Sequence, residues 1–258
     1  MADQARIIWL HVAPGVESLA HGRQVWTQPA AVRKALGELL SVCPATHVQI
    51  DLSALVAAGQ EAANWPAFLK REAAWSELLP ELTLAISDAV TPRTWGLGLP
   101  TLPLLAAALG DTSERGLLKA GMQAAAFLQN FRQSSVGFVT LDWPQDVDAG
   151  RGRCAAPIFR NSHMYGWQRA VSLADPSGLA HAPQEVDLRL IKDFSLAEVQ
   201  PLWTQGERVG GGLTKAFWTT PQLPSFAPSS YVLYGNIPED ITPQQLVEAG
   251  RTLHTWLT

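Results

Sequence analysis

Val136-Gly137-Phe138-Val139-Thr140-Leu141-Asp142 is a short run of β-branched and large apolar residues closed by an aspartate. Two further runs read the same way, His47-Val48-Gln49-Ile50-Asp51 and Leu82-Thr83-Leu84-Ala85-Ile86-Ser87-Asp88. Runs of this length and composition are what strands covered on both faces look like. A carboxylate at the C-terminal edge of a parallel strand lies where α/β proteins place their ligand sites. The three runs therefore predict a parallel sheet with Asp51, Asp88 and Asp142 on one rim.

Working outward, strand-like and helical segments alternate through the first half. Arg6 to Val12 reads as a strand, Pro29 to Val42 as a helix, His47 to Leu52 as a strand and Gln60 to Leu79 as mostly helical. Leu82 to Val90 is the expected third strand. A Pro- and Gly-rich loop, a short helix over Thr101 to Leu109, a long amphipathic helix over Glu114 to Arg132 and a strand over Val136 to Asp142 follow. This alternation is the signature of βαβ units with parallel strands.

The second half is less regular. Strands are expected at Gln168 to Leu173, Val186 to Ile191, Lys215 to Thr219 and Tyr231 to Ile237. Helices are expected over Ser195 to Gln205 and Thr242 to Leu257, whereas the segment between 173 and 186 holds turn signals and no helix, fitting either a long hairpin or a crossover without one. Val209-Gly210-Gly211-Gly212-Leu213-Thr214-Lys215 evokes a phosphate loop but lacks its residue order and follows a helix, so Gly210 to Gly212 reads as a helix C-cap and flexible turn. Eight strands result. The expectation is an α/β chain forming a degenerate (β/α)8 barrel as a single domain over 1–258, with an open doubly wound sheet as the alternative.

Composition narrows the function classes. Hydrophobic residues make up 47% of the 258 residues and charged residues only 16%, with a formal net charge of −4. The negative balance argues against a nucleic-acid binder, which carries a basic stripe. The low charge fraction and the ten tryptophans fit a homo-oligomer, a protein complex or a wide apolar pocket. Cys43 and Cys154 are too few and too far apart for a secreted disulfide framework. With no signal-peptide pattern and no membrane-length apolar run, a cytoplasmic protein is expected.

Each candidate for chemistry has an ordinary structural counterpart. Asp51, Asp88 and Asp142 are placed to act as acids or bases, although an aspartate after a strand also caps helices and turns. His11 ends the first strand and belongs to the same rim. Asp146 to Arg153 mixes acids, arginines and glycines as a lid or a solvated loop would. Arg160-Asn161-Ser162-His163 concentrates donors and acceptors just before a strand. Trp95, Trp143 and Trp218 follow expected strands and are candidate cleft walls or partner contacts. Zinc-ligand spacings, the Gly-x-Ser-x-Gly elbow and a dinucleotide fingerprint are missing; no metal is expected and the cofactor is left open.

Two stretches carry a resemblance. Val48-Gln49-Ile50-Asp51-Leu52-Ser53-Ala54-Leu55 resembles the Gln-Ile-Asp-Glu-Pro-Ala-Leu stretch of cobalamin-independent methionine synthase. Leu233-Tyr234-Gly235-Asn236-Ile237-Pro238-Glu239-Asp240 is similar to the Gly-Asn-Leu/Ile-Asp-Pro end of uroporphyrinogen decarboxylase-type barrels. The resemblance implies a barrel and places Asp51 and Asn236 toward a ligand. It carries no catalytic set: the synthase Glu-Pro is Leu52-Ser53 here, and the zinc ligands and the arginine-rich N-terminal motif have no counterpart.

The functional expectation is a metal-independent enzyme of lyase, decarboxylase or hydrolase type acting on a partly apolar organic acid at the C-terminal rim. Asp142, Asp88 and His163 would be catalytic, and His11, Asp51, Arg160, Asn161 and Asn236 would bind substrate. The alternative is a non-catalytic scaffold that binds a partner protein.

Overall fold

The structure, a computed structural model, describes residues 6–57, 64–70, 72, 74–144, 152–223 and 232–258. Eight parallel strands close into a barrel in chain order: β1 (Ile7–His11), β2 (His47–Asp51), β3 (Thr94–Leu99), β4 (Val136–Trp143), β5 (Gln168–Leu173), β6 (Leu188–Ser195), β7 (Val209–Leu213) and β8 (Val232–Asn236). β8 pairs with β1 from Ile7↔Val232 to His11↔Asn236, which excludes the open sheet. The chain is a (β/α)8 barrel.

The helices are α1 (Ala13–Leu19), α2 (Pro29–Val42), α3 (Leu52–Ala57), α4 (Trp65–Leu69), α5 (Ala74–Val90) and α6 (Leu102–Ala108), then α7 (Glu114–Leu128), α8 (Ala156–Met164), α9 (Leu196–Thr204), α10 (Lys215–Thr219) and α11 (Pro243–Leu257). β5 and β6 are parallel, so the segment between them is a crossover, and it holds only a 3-10 turn over Pro176–His181. That is the erosion expected in the second half. No described helix is long and apolar enough to cross a membrane.

Strand parity separates two cores. Ile8, Leu10, Val48, Ile50, Leu97, Val139, Leu141, Val171 and Ile191 face outward into the layer between sheet and helices. Trp9, Phe138, Ala170, Leu190, Val232 and Tyr234 form a second cluster inside the barrel. The barrel interior has a fixed small volume, so large side chains on some strands require glycine on others. A Cβ on Gly96 of β3 would lie 2.3 Å from the Phe138 carbonyl oxygen. A Cβ on Gly210 of β7 would lie 2.8 Å from Leu190 and 3.0 Å from Val232.

Two expected strands are helices, and two strands were read as loops. Leu82 to Val90 is the second half of α5. Trp75, Leu79, Leu82, Ala85, Ile86 and Val90 are buried, at helical spacing, while Leu84 is 63% exposed. A seven-residue window conceals a period that the seventeen-residue helix makes plain. The true third strand is the Gly-containing Thr94–Leu99. Likewise Lys215 to Thr219 is α10, and the glycine run 210–212 lies in β7. In both strands glycine is selected by crowding inside the barrel, which local propensity cannot register.

His47 sits at the start of β2, its ring stacked on Trp9 with centroids 5.0 Å apart. Burial lowers its pKa from 6.5 to about 4, against a smaller opposing hydrogen bond with Gln168. The unfolded chain takes up this proton near 6.5 and the folded chain only near 4. Stability is therefore undiminished above pH 6.5 and is lost progressively as the pH falls toward 4, by about 3 kcal/mol in all. Urea denaturation at stepped pH checks this: His47→Phe should flatten the slope in that window.

Candidate active site at the barrel mouth

The inward-facing residues change character along the strands. Toward the N-terminal ends they are mostly apolar; the last inward positions are His11, Asp51, Asp142, Ser172, Lys192 and Asn236 on β1, β2, β4, β5, β6 and β8. The C-terminal mouth is thus polar, which is where βα loops and strand ends supply reactive groups in this fold.

His11 lies between two partners. Its Nδ1 is 3.1 Å from Asn236 Oδ1 and its Nε2 is 3.7 Å from Asp51 Oδ2. An amide oxygen only accepts, so Nδ1 carries a hydrogen, and in the neutral form of the ring the lone pair is then on Nε2. Asp51 is oriented by the Ser53 backbone N–H, which donates to Oδ1 over 3.1 Å. His11 and Asn236 are register partners across the β8–β1 closure.

Asp142 ends the inward set of β4 and accepts a hydrogen bond of 2.9 Å from Lys192 Nζ of β6. The pair bridges over β5, whose Ser172 is the register partner of Asp142. Lys192 sits in an irregularity of β6, where the pairing with β7 shifts between Leu190 and Ser195 and Asp193 adopts φ 49°. Left-handed backbone at a non-glycine residue is strained, and strain of this kind gathers at functional sites. Beneath the mouth, Tyr234 Oη and Ser172 Oγ share a hydrogen bond of 3.3 Å. Burial pushes the Tyr234 phenol above its ordinary range, and Asp142, Asp51 and Asp193 push it the same way, so it remains a neutral donor.

A cavity of about 340 Å³ opens beside His11 and Asp51, with Ala13, Pro14, Glu17, Arg23, Trp65, Leu104 and Glu239 among its lining. Glu17 accepts from Trp26 Nε1 at 3.0 Å and pairs with Arg23 at 3.4 Å. A second cavity, about 460 Å³, adjoins the ends of β6 and β7 around Leu196, Gly212, Thr214 and Phe217.

Of the expected site residues, His11, Asp51, Asp142 and Asn236 reach the mouth. Asp88 does not: it lies near the C-terminus of α5, in the helix layer at the opposite end of the barrel, paired at the surface with Arg33 at 3.4 Å. Arg160, Asn161 and His163 are on α8, likewise in the outer layer. Arg160 is exposed and Asn161 donates to the Ala125 carbonyl of α7 at 3.0 Å. His163 stands near the strand starts, where it adds slightly to the Arg169 hydrogen bond that holds the Asp187 carboxyl low. Their density in sequence reflects a helix turn linking two helices and a strand start. Trp95, Trp143 and Trp218 are buried in the core between sheet and helices and line neither of the two cavities. Residues 145–151 of the acid- and arginine-containing stretch lie outside the described residues.

Lys192, Ser172, Tyr234, Glu17 and Glu239 were not anticipated. Lys192 had a legible signal: Leu188, Leu190 and Lys192 continue one alternation, and ending the strand at Ile191 hid its charged last member. Among the described residues no group of three or more His, Cys, Asp or Glu converges on a metal position.

No family model and no curated protein matches the chain. Among solved structures it is similar to an endo-beta-N-acetylglucosaminidase from Cordyceps militaris in apo form, at 10% identity and TM-score 0.48 over 98% of this chain and 91% of that one. A double mutant of that enzyme in complex with fucosyl-N-acetylglucosamine-Asn is similar at 9% identity and TM-score 0.47, with 98% and 91% covered. The likeness is confined to the course of the chain.

The placement of Asp88 and Asn161 makes a contrast measurable in thermal melts. Asp88→Asn breaks only an exposed pair and should change stability by less than about 1 kcal/mol. Asn161→Ala strands the Ala125 carbonyl between α7 and α8 and should cost about 1–2 kcal/mol.

Proposed function

We propose that this chain is an acid–base enzyme, of hydrolase or lyase type, acting on a small molecule at the C-terminal mouth of its barrel. The observation that carries the reading is His11, held by Asn236 on one side and facing Asp51 on the other, at the edge of a cavity of about 340 Å³. Asn236 fixes the tautomer, so Nε2 is the nitrogen available to take a proton from a bound substrate or water. Asp51 then steadies the imidazolium that forms. Asp142, clamped by Lys192, is the second carboxylate of the mouth and the group that stabilises or relays positive charge across the site.

An organic acid is no longer the substrate this site favours. The guanidinium expected to grip it, Arg160, belongs to the outer face of α8. Among the described residues lining the cavity, Glu17, Asp51 and Glu239 stand against Arg23, which already pairs with Glu17. A neutral or cationic molecule suits that balance.

The test is a screen of purified protein against chromogenic esters, amides, glycosides and elimination substrates, followed by variants on any turnover found. His11→Asn, Asp51→Asn and Asp142→Asn should each lower kcat/KM by about 10²–10⁴-fold, while Asp88→Asn and His163→Gln stay at the wild-type level. Full turnover by His11→Asn would remove the imidazole from the chemistry and with it this reading.

A further inference from the structure

We infer that the ligand of the His11–Asp51 cavity carries a protonated amine on a compact apolar body. This names a substrate class for the site proposed above and takes from that reading only that the cavity is where the ligand binds.

Two hydrogen-bond acceptors face each other there, and no described residue donates to both. Donation of Nδ1–H to Asn236 puts the lone pair of the neutral His11 ring on Nε2, which is buried and makes no hydrogen bond among the described residues. It points toward Asp51 Oδ2, 3.7 Å away, while the Ser53 N–H engages the other carboxylate oxygen. A single ligand hydroxyl has one hydrogen and serves one of the two acceptors. An ammonium group has three and serves both, leaving one to spare.

Charge selects the same class. Glu17 is satisfied by Arg23 and Trp26. Among the described residues Asp51 and Glu239 have no cationic side chain paired with them apart from the His11 contact, so with His11 neutral these two carboxylates are uncompensated by any described group. Water between the acceptors would fill hydrogen bonds without cancelling that charge, and an anion would be repelled. Apart from Ser53, the remaining wall is apolar, with Ala13, Pro14, Ala54, Trp65 and Leu104 in it. A cationic head at the polar edge and a small hydrocarbon or aromatic body against Trp65 match both parts. The volume sits at the small end of ligand sites, which keeps the body compact.

Isothermal titration of the full chain with phenethylamine and with phenethyl alcohol, which share a body and differ in the head, tests the inference. The amine should bind about tenfold to a hundredfold more tightly, the range expected of charge-assisted hydrogen bonds. Asp51→Asn should abolish that preference. Glu239→Gln, at an exposed position where folding is not at stake, should reduce it several-fold. Equal affinity for the two heads, failure of both to bind, or an amine preference unchanged in both variants would overturn the inference. The two readings fail separately. Amine preference with turnover indifferent to His11→Asn removes the acid–base chemistry and leaves the ligand class, whereas turnover lost in His11→Asn without amine preference does the reverse.

Discussion

The closure of β8 onto β1 is the constraint on which the rest of the structure depends. Five register pairs, from Ile7↔Val232 to His11↔Asn236, turn a sheet with two edges into one with none. Closure makes one parity of every strand an interior of limited volume and the other a base for the helices. It also creates the site. His11 and Asn236 lie 225 residues apart and hydrogen-bond because they are the last pair of that seam.

Filling the interior is a problem of complementary sizes. Trp9, Phe138 and Tyr234 are large, and Gly96 and Gly210 stand where their neighbours leave no room for a Cβ. The residues that look least like strand formers are therefore the ones closure demands in β3 and β7. The same economy lets Tyr234 reach across to Ser172, beneath the Asp142–Lys192 pair. The polar mouth is supported from below by a neutral phenol, not by a second layer of hydrocarbon.

Charge divides the mouth into two parts. On the β4–β6 side, Asp142 and Lys192 compensate each other at 2.9 Å. On the β1–β2 side, carboxylate charge is left over around His11 and the cavity. An internally compensated pair holds its position whatever binds, and an uncompensated pocket draws a ligand of opposite sign. Under the proposed function, the compensated side positions and the uncompensated side recognises.

The sequence by itself determined the class of fold and several of the polar groups that gather at the barrel mouth. Alternation of apolar runs and amphipathic segments is a local property, so β1, β2, β4, β5, β8 and the long helices α2, α7 and α11 were legible from it. Asp51, Asp142, His11 and Asn236 were legible as strand-end groups for the same reason. Leu82 to Asp88 misled because a short apolar window is compatible with two periods, and only packing of the whole of α5 against α2 selects one. Arg160, Asn161 and His163 misled because proximity in sequence is not convergence in space. Tertiary structure alone decided which glycines lie in strands, which lysine faces a carboxylate, and that His11 stands between Asn236 and Asp51. Those facts depend on register between strands far apart in the chain, and register is set by closing the barrel around a fixed interior volume.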